Sequence, residues 1–147
     1  MPSTITEHKS LDVSGSFQAV GVIPVFRFMR YSAGQAFRVH KDPQRRSQHH
    51  PHTGAPGYFK SFVTLALYLN DQSEFEGGAL NFVKVEVCPK RYESLASVAP
   101  AIGRCAIFRH NELHEGGELR SGVKHMVQCD VLYEWIPPPT AKEGSRA

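Results

Sequence analysis

His40 and Asp42 stand two positions apart in the run Phe37-Arg38-Val39-His40-Lys41-Asp42. The segment Gln35 to Asp42 alternates in polarity and stops at Pro43, which predicts a strand. Asp42, as the residue before a proline, should stay extended. Side chains at i and i+2 of a strand point to one face, so an imidazole and a carboxylate placed there can reach one ion. With one more histidine they form a set that occupies one face of an octahedron, leaves the other face open and suits iron(II). The third histidine must come from another element. His114, directly before Glu115-Gly116-Gly117 at a strand end, is the candidate, and His110, four residues earlier, competes with it. The Leu-His-Glu-Gly-Gly context and the ten-residue step to Lys124 favour His114.

Lys124 follows Gly122 and Val123 in the last apolar run and alternates with His125, so one points inward and the other outward. An inward lysine needs an anionic partner, because an unpaired buried ammonium is costly. Tyr68 can donate its hydroxyl to the same anion; its plainer role is a packed core tyrosine. His49, His50 and His52 form a second cluster, His-His-Pro-His, in a loop. Structural zinc sites need four fixed ligands, so a solvated loop is the simpler reading. His8 and His125 read as surface or packing residues.

The elements that must position these groups are strands punctuated by turns. Val22 to Tyr31 reads as a strand ended by Ser32-Ala33-Gly34, and Pro43 to Gly57 as a loop. Tyr58 to Asn70 is a long strand followed by a polar turn, and Ala79 to Val85 another after Gly77-Gly78. Cys88 to Ala99 is ambiguous, with a helical turn or an irregular connection at Tyr92 to Val98. Pro100 to Gly103 is a turn into a strand over Arg104 to Arg109, Gly116-Gly117 makes another turn, and Val123 to Trp135 is the last strand. Many short strands with Gly and Pro turns and minor helix predict an all-β sandwich, barrel or jelly roll. The expected organisation is an extension over 1–21, one domain over 22–136 and a disordered tail over 137–147.

These blocks carry a family resemblance. RYSAGQAFRVHKD, TLALYLND, FEGGALNF, VAPAIGRCAIF and LHEGGELRSGVKHMVQCDVLY, in that order, resemble the catalytic domain of the prolyl 4-hydroxylase-like 2-oxoglutarate/iron(II) dioxygenases. The resemblance spans Val25 to Tyr133. It implies a double-stranded β-helix (jelly roll) with the metal at its open mouth, bound by His40, Asp42 and His114. It also implies that Lys124 holds the 2-oxoglutarate carboxylate with Tyr68 beside it, and that Tyr31 lies near cosubstrate or substrate. The implied cofactors are iron(II), 2-oxoglutarate and dioxygen, with ascorbate as a supporting reductant. The implied reaction hydroxylates a C–H bond of a prolyl or other peptidyl side chain, a free amino acid or a small metabolite, and releases succinate and CO2. Leu80 departs from the family pattern, which usually has threonine there.

Composition bounds the alternatives. The 147 residues suit one domain, and the apolar and charged fractions are those of a globular chain. The net charge of +3 is mild, and the basic stretch Lys41 to Lys60 lacks interleaved aromatics for base stacking, so no nucleic-acid partner is expected. No apolar run approaches the roughly 20 residues of a membrane span, and no signal segment is visible, so the expectation is an intracellular protein. Cys88, Cys105 and Cys129, three cysteines without CxxC spacing, read as reduced structural residues. Two other functions compete: a non-catalytic jelly-roll binding module, and a cupin-like enzyme using another divalent metal. A homo-oligomer whose second subunit covers part of the barrel is compatible with the sequence.

Overall fold

A computed structural model describes residues 4–5, 15–87 and 90–138 of the chain. Among these residues there are twelve strands and no helix, so none is long and apolar enough to cross a membrane. His8, Cys88 and the end of the tail lie outside the described residues.

The strands are β1 (Thr4–Ile5), β2 (Ser16–Val22), β3 (Arg27–Ser32), β4 (Phe37–His40), β5 (Arg46–His49) and β6 (Pro56–Tyr68). They continue as β7 (Phe75–Gly77), β8 (Leu80–Val87), β9 (Lys90–Val98), β10 (Cys105–Arg109), β11 (His114–Gly116) and β12 (Leu119–Ile136). All pairings are antiparallel. The larger sheet runs β1-β2-β12-β6-β10, with β3 and β7 on β12 and β5 on β6; the smaller runs β4-β11-β8-β9. Two such sheets face to face make the all-β, double-stranded β-helix architecture.

Period-two alternation explains what lies between the sheets. On β6, Thr64, Ala66 and Tyr68 point inward and are buried, whereas Leu67 is exposed. On β10, Ala106 and Phe108 point inward and Ile107 outward. Ala66, Leu80, Ala106 and Phe108 form a buried cluster, with Phe82, Val98 and Met126 packed on it. A second cluster, Phe17, Phe62, Val63, Val131 and Tyr133, closes the other end of the large sheet. Phe62 is the extra residue of a bulge in β6, opposite the Val131–Leu132 step.

The structure corrects three sequence expectations. The run Val22 to Tyr31 is not one strand: β2 ends at Val22 and β3 begins at Arg27. Pro24 lies between them and has no N–H to give the ladder. Pro43 to Gly57 is not loop throughout, because Arg46–His49 pairs with the edge of β6. The ambiguous stretch Cys88 to Ala99 holds a strand rather than a helical turn, with Lys90–Val98 paired along β8. Arg46–His49 is polar, and the second strand is exposed from Arg91 to Ser97, with Val98 packed on the inner cluster. Backbone pairing, more than burial, places both.

Candidate active site

β4 and β11 are neighbours, with His40 directly opposite His114. That register brings the two rings together, their centroids 4.3 Å apart. β4 ends at His40, and Asp42 stays in line because its amide donates to the His110 carbonyl at 3.0 Å. His40 Nε2 lies 3.5 Å from Asp42 Oδ1, and His114 Nε2 3.9 Å from Oδ2. One ligand atom from each of the three residues lies within 4.8 Å of the others.

The donor set fits a metal. Nδ1 of His40 sits 2.7 Å from the Arg38 carbonyl, and Nδ1 of His114 sits 2.9 Å from the Glu112 carbonyl. A carbonyl only accepts, so each Nδ1 must carry the proton, and each Nε2 lone pair faces the Asp42 carboxylate. Burial lowers the His114 pKa and favours the neutral imidazole that a metal needs; Asp42 pulls in the other direction, less strongly than burial. Asp42 Oδ2 accepts from Thr64 Oγ1 at 2.6 Å and from Gln128 Nε2 at 3.3 Å. These are the outer hydrogen bonds that orient a ligating carboxylate.

The triad opens into a cavity of about 380 Å³ that also contains Tyr31, Tyr68, Leu80 and Lys124. Lys124 is buried, while His125, its neighbour on β12, is exposed. Its ammonium donates to the Gly78 carbonyl at 2.8 Å and lies over the Tyr31 ring, 4.5 Å from the centroid. Desolvation lowers its pKa to about 8. The same burial raises Tyr31 and pushes Tyr68 to about 12, so both phenols stay protonated donors at neutral pH. Asn70 staples β12 on both sides of Lys124: its amide nitrogen donates to the Val123 carbonyl, and its oxygen accepts from the His125 amide. Gly78, at φ +67°, lets the lysine pass; a Cβ there would lie 3.3 Å from Nζ and 2.9 Å from Leu119 Cδ1.

The six site residues read from the sequence thus share one cavity. The competing His110 does not join them. It is buried behind Asp42 with no hydrogen-bond partner for either ring nitrogen, 3.6 Å from Asp130. His49, His50 and His52 form no ligand group among the described residues. His52 Nε2 instead meets the Val22 carbonyl at 2.7 Å, and His50 packs edge-on against Phe59. Cys105 and Cys129 are free thiols. The supporting residues Thr64, Gln128 and Asn70 escaped the sequence reading, although period-two alternation from Tyr68 through Ala66 reaches Thr64 on β6, and from Lys124 through Met126 reaches Gln128 on β12.

The model of the family described as the 2OG-Fe(II) oxygenase superfamily matches residues 26–129, which hold every one of these site residues. The chain belongs to that superfamily. Among solved structures, the viral collagen prolyl hydroxylase vCPH from Paramecium bursaria Chlorella virus-1, in its 2OG complex, is similar at 20% identity with a TM-score of 0.44. That alignment covers 76% of this chain and 62% of the viral one, so this superfamily member spans less than two thirds of the viral protein's length. No curated protein matches the chain.

Proposed function

We propose that the protein is an iron(II)- and 2-oxoglutarate-dependent dioxygenase that hydroxylates a C–H bond of a peptidyl, amino-acid or other small substrate. One observation carries the reading: the His40–Asp42–His114 ligand atoms and the buried Lys124 ammonium face a single cavity. The first set suits iron(II) with open coordination positions. The second suits the distal carboxylate of a dicarboxylic cosubstrate, which supplies the counter-charge that a desolvated ammonium lacks.

Bound iron(II) with 2-oxoglutarate supplies the oxidation: dioxygen is consumed, one oxygen atom enters the substrate C–H bond, and the other leaves in succinate alongside CO2. The chain's own residues position and shield. His40 and His114 present neutral Nε2 atoms, Asp42 brings the anionic ligand, and Thr64 and Gln128 fix its rotamer. Lys124 and Tyr68 set the depth of the cosubstrate, with Tyr31 flanking the ammonium. Leu80 and Phe108 form an apolar wall that keeps water from the reacting carbon. Ascorbate would serve to keep the iron reduced.

The test is succinate formation from 2-oxoglutarate by purified protein with iron(II) and ascorbate. Turnover that disappears in His40→Ala supports the reading. No succinate and no 2-oxoglutarate binding would overturn it in favour of a non-catalytic binding module.

A further inference from the structure

We infer that Arg27 is the substrate-recognising residue of this cavity and that the substrate presents a carboxylate to it. The inference rests on the oxygenase reading above. The floor of the cavity is a cross-strand ladder between β3 and β12: Tyr31 faces Lys124, Met29 faces Met126, and Arg27 faces Gln128. All six side chains line the cavity. The ladder is basic at both ends and apolar in the middle, and Tyr31 and Arg27 lie four residue steps apart along the strand, roughly 13 Å. The cosubstrate carboxylate uses the Lys124 end. Gln128, opposite Arg27, donates to the Asp42 carboxylate, so the metal position lies towards the Arg27 end. An anion on Arg27 would hold the rest of its molecule next to the metal.

Charge bookkeeping makes Arg27 available. Asp130 is buried, and two guanidinium groups share it: Arg27 Nη2 at 3.4 Å from Oδ1 and Arg45 Nε at 3.1 Å from Oδ2. His110 Nε2 lies 3.6 Å from the same carboxylate. Two arginines on one carboxylate leave a positive charge in excess at this end of the cavity. Arg27 is the more loosely held of the two by distance, and it can swing to a ligand without orphaning Asp130, which keeps Arg45. Apart from the metal set and Lys124, Arg27 is the charged side chain lining the cavity. A guanidinium offers a carboxylate a planar pair of donors.

The source of the carboxylate is either the main-chain carboxylate of a free amino acid or an acidic side chain of a peptide, and matched probes separate them. The whole chain, labelled with nitrogen-15 and loaded with 2-oxoglutarate and zinc(II) in place of iron, is titrated with L-proline against L-prolinamide. A second titration uses the acetylated, amidated peptides Ala-Pro-Glu and Ala-Pro-Gln. The Arg27 Nε–H signal, assigned by its loss in Arg27→Gln, should move with the acid of one pair and not with its amide; the responding pair names the source. In the iron enzyme, Arg27→Gln should cut the preference for acid over amide in succinate formation at least tenfold, Arg27→Lys should restore much of it, and the apparent affinity for 2-oxoglutarate should not change. An equal response to acid and amide, no response to either acid, or a 2-oxoglutarate defect in Arg27→Gln would overturn the assignment. Failure of the oxygenase reading is distinguishable, because it would remove succinate formation from the unaltered protein while the Arg27 signal still reports binding.

Discussion

The Thr64 hydroxyl on β6 donates to Asp42 Oδ2 across 2.6 Å, joining the large sheet to the loop that follows β4. Thr64 is fully buried and pairs across β6–β12 with Asp130. The carboxylate is therefore aimed by the sheet core rather than by its own loop. Replacing Thr64 by Val keeps the shape and removes the donor. Metal affinity should fall roughly ten- to a hundredfold, the usual cost of losing an outer hydrogen bond to a ligand. Anaerobic titration with iron(II) or cobalt(II) measures this, and an unchanged affinity would assign the orienting role to Gln128 alone.

Asp42→Ala removes the one anionic ligand of the set and should abolish both metal-induced thermal stabilisation and succinate formation. The competing histidines separate in the same assay. His114→Ala should lose metal binding, whereas His110→Gln should retain it, because the His110 ring lies against Asp130 rather than in the triad. Metal binding that survives in His114→Ala and fails in His110→Gln would reverse the assignment.

Lys124 makes stability depend on pH. Its folded pKa is about 8, against an ordinary value of 10.5. Below pH 8 both states hold the proton, and the fold carries the whole desolvation cost, about 3 kcal/mol from that shift. Between pH 8 and 10.5 the unfolded chain binds more protons, so this contribution to stability rises with pH. Lys124→Met should therefore be more stable than the unaltered protein at pH 7, with the difference shrinking towards pH 10 in denaturant titrations. A difference independent of pH would mean that the ammonium is not desolvated.

Cosubstrate affinity should show the opposite trend. Binding of a dicarboxylate needs the protonated ammonium, so the apparent dissociation constant for 2-oxoglutarate should rise about tenfold per pH unit above 8. Calorimetry on the metal-loaded protein in buffers of different ionisation enthalpy should show proton uptake there. An affinity flat from pH 7 to 9.5 would place the carboxylate away from Lys124.

Gly78→Ala should damage the same subsite from the other side. Its φ of +67° disfavours a side chain, and the added methyl presses on Leu119 and Lys124. A loss of about 1–3 kcal/mol in stability is expected, with weakened 2-oxoglutarate binding and metal affinity intact. Equal losses of both affinities would point to a general collapse of the cavity.

Much of this site is legible in the sequence because strand periodicity is a local rule. That His40 and Asp42 share a face, and that Lys124 and His125 point to opposite sides, follows from alternation alone. The same rule, continued from Tyr68 and Lys124, reaches Thr64 and Gln128. What alternation does not provide is pairing between distant strands. The polar strand Arg46–His49 and the Ser- and Glu-containing strand Lys90–Val98 exist because β6 and β8 offer them backbone partners. The contact of Gly78 with Lys124, and the sharing of Asp130 by Arg27 and Arg45, are likewise products of register.

β12 touches β2, β3, β6 and β7, and it is the last strand among the described residues. As the chain leaves the ribosome, every candidate metal ligand emerges before the strand that carries Gln128 and Asp130. A nascent chain stalled before residue 119 would hold all three ligands with no lysine beneath them and an open seam between β3 and β6. Closure of the large sheet is a late event made of long-range pairings, the kind that folds slowly. Metal that arrives early would meet a loosely tethered Asp42, and capture in the finished geometry has to await the pairing of β12 with β3 and β6.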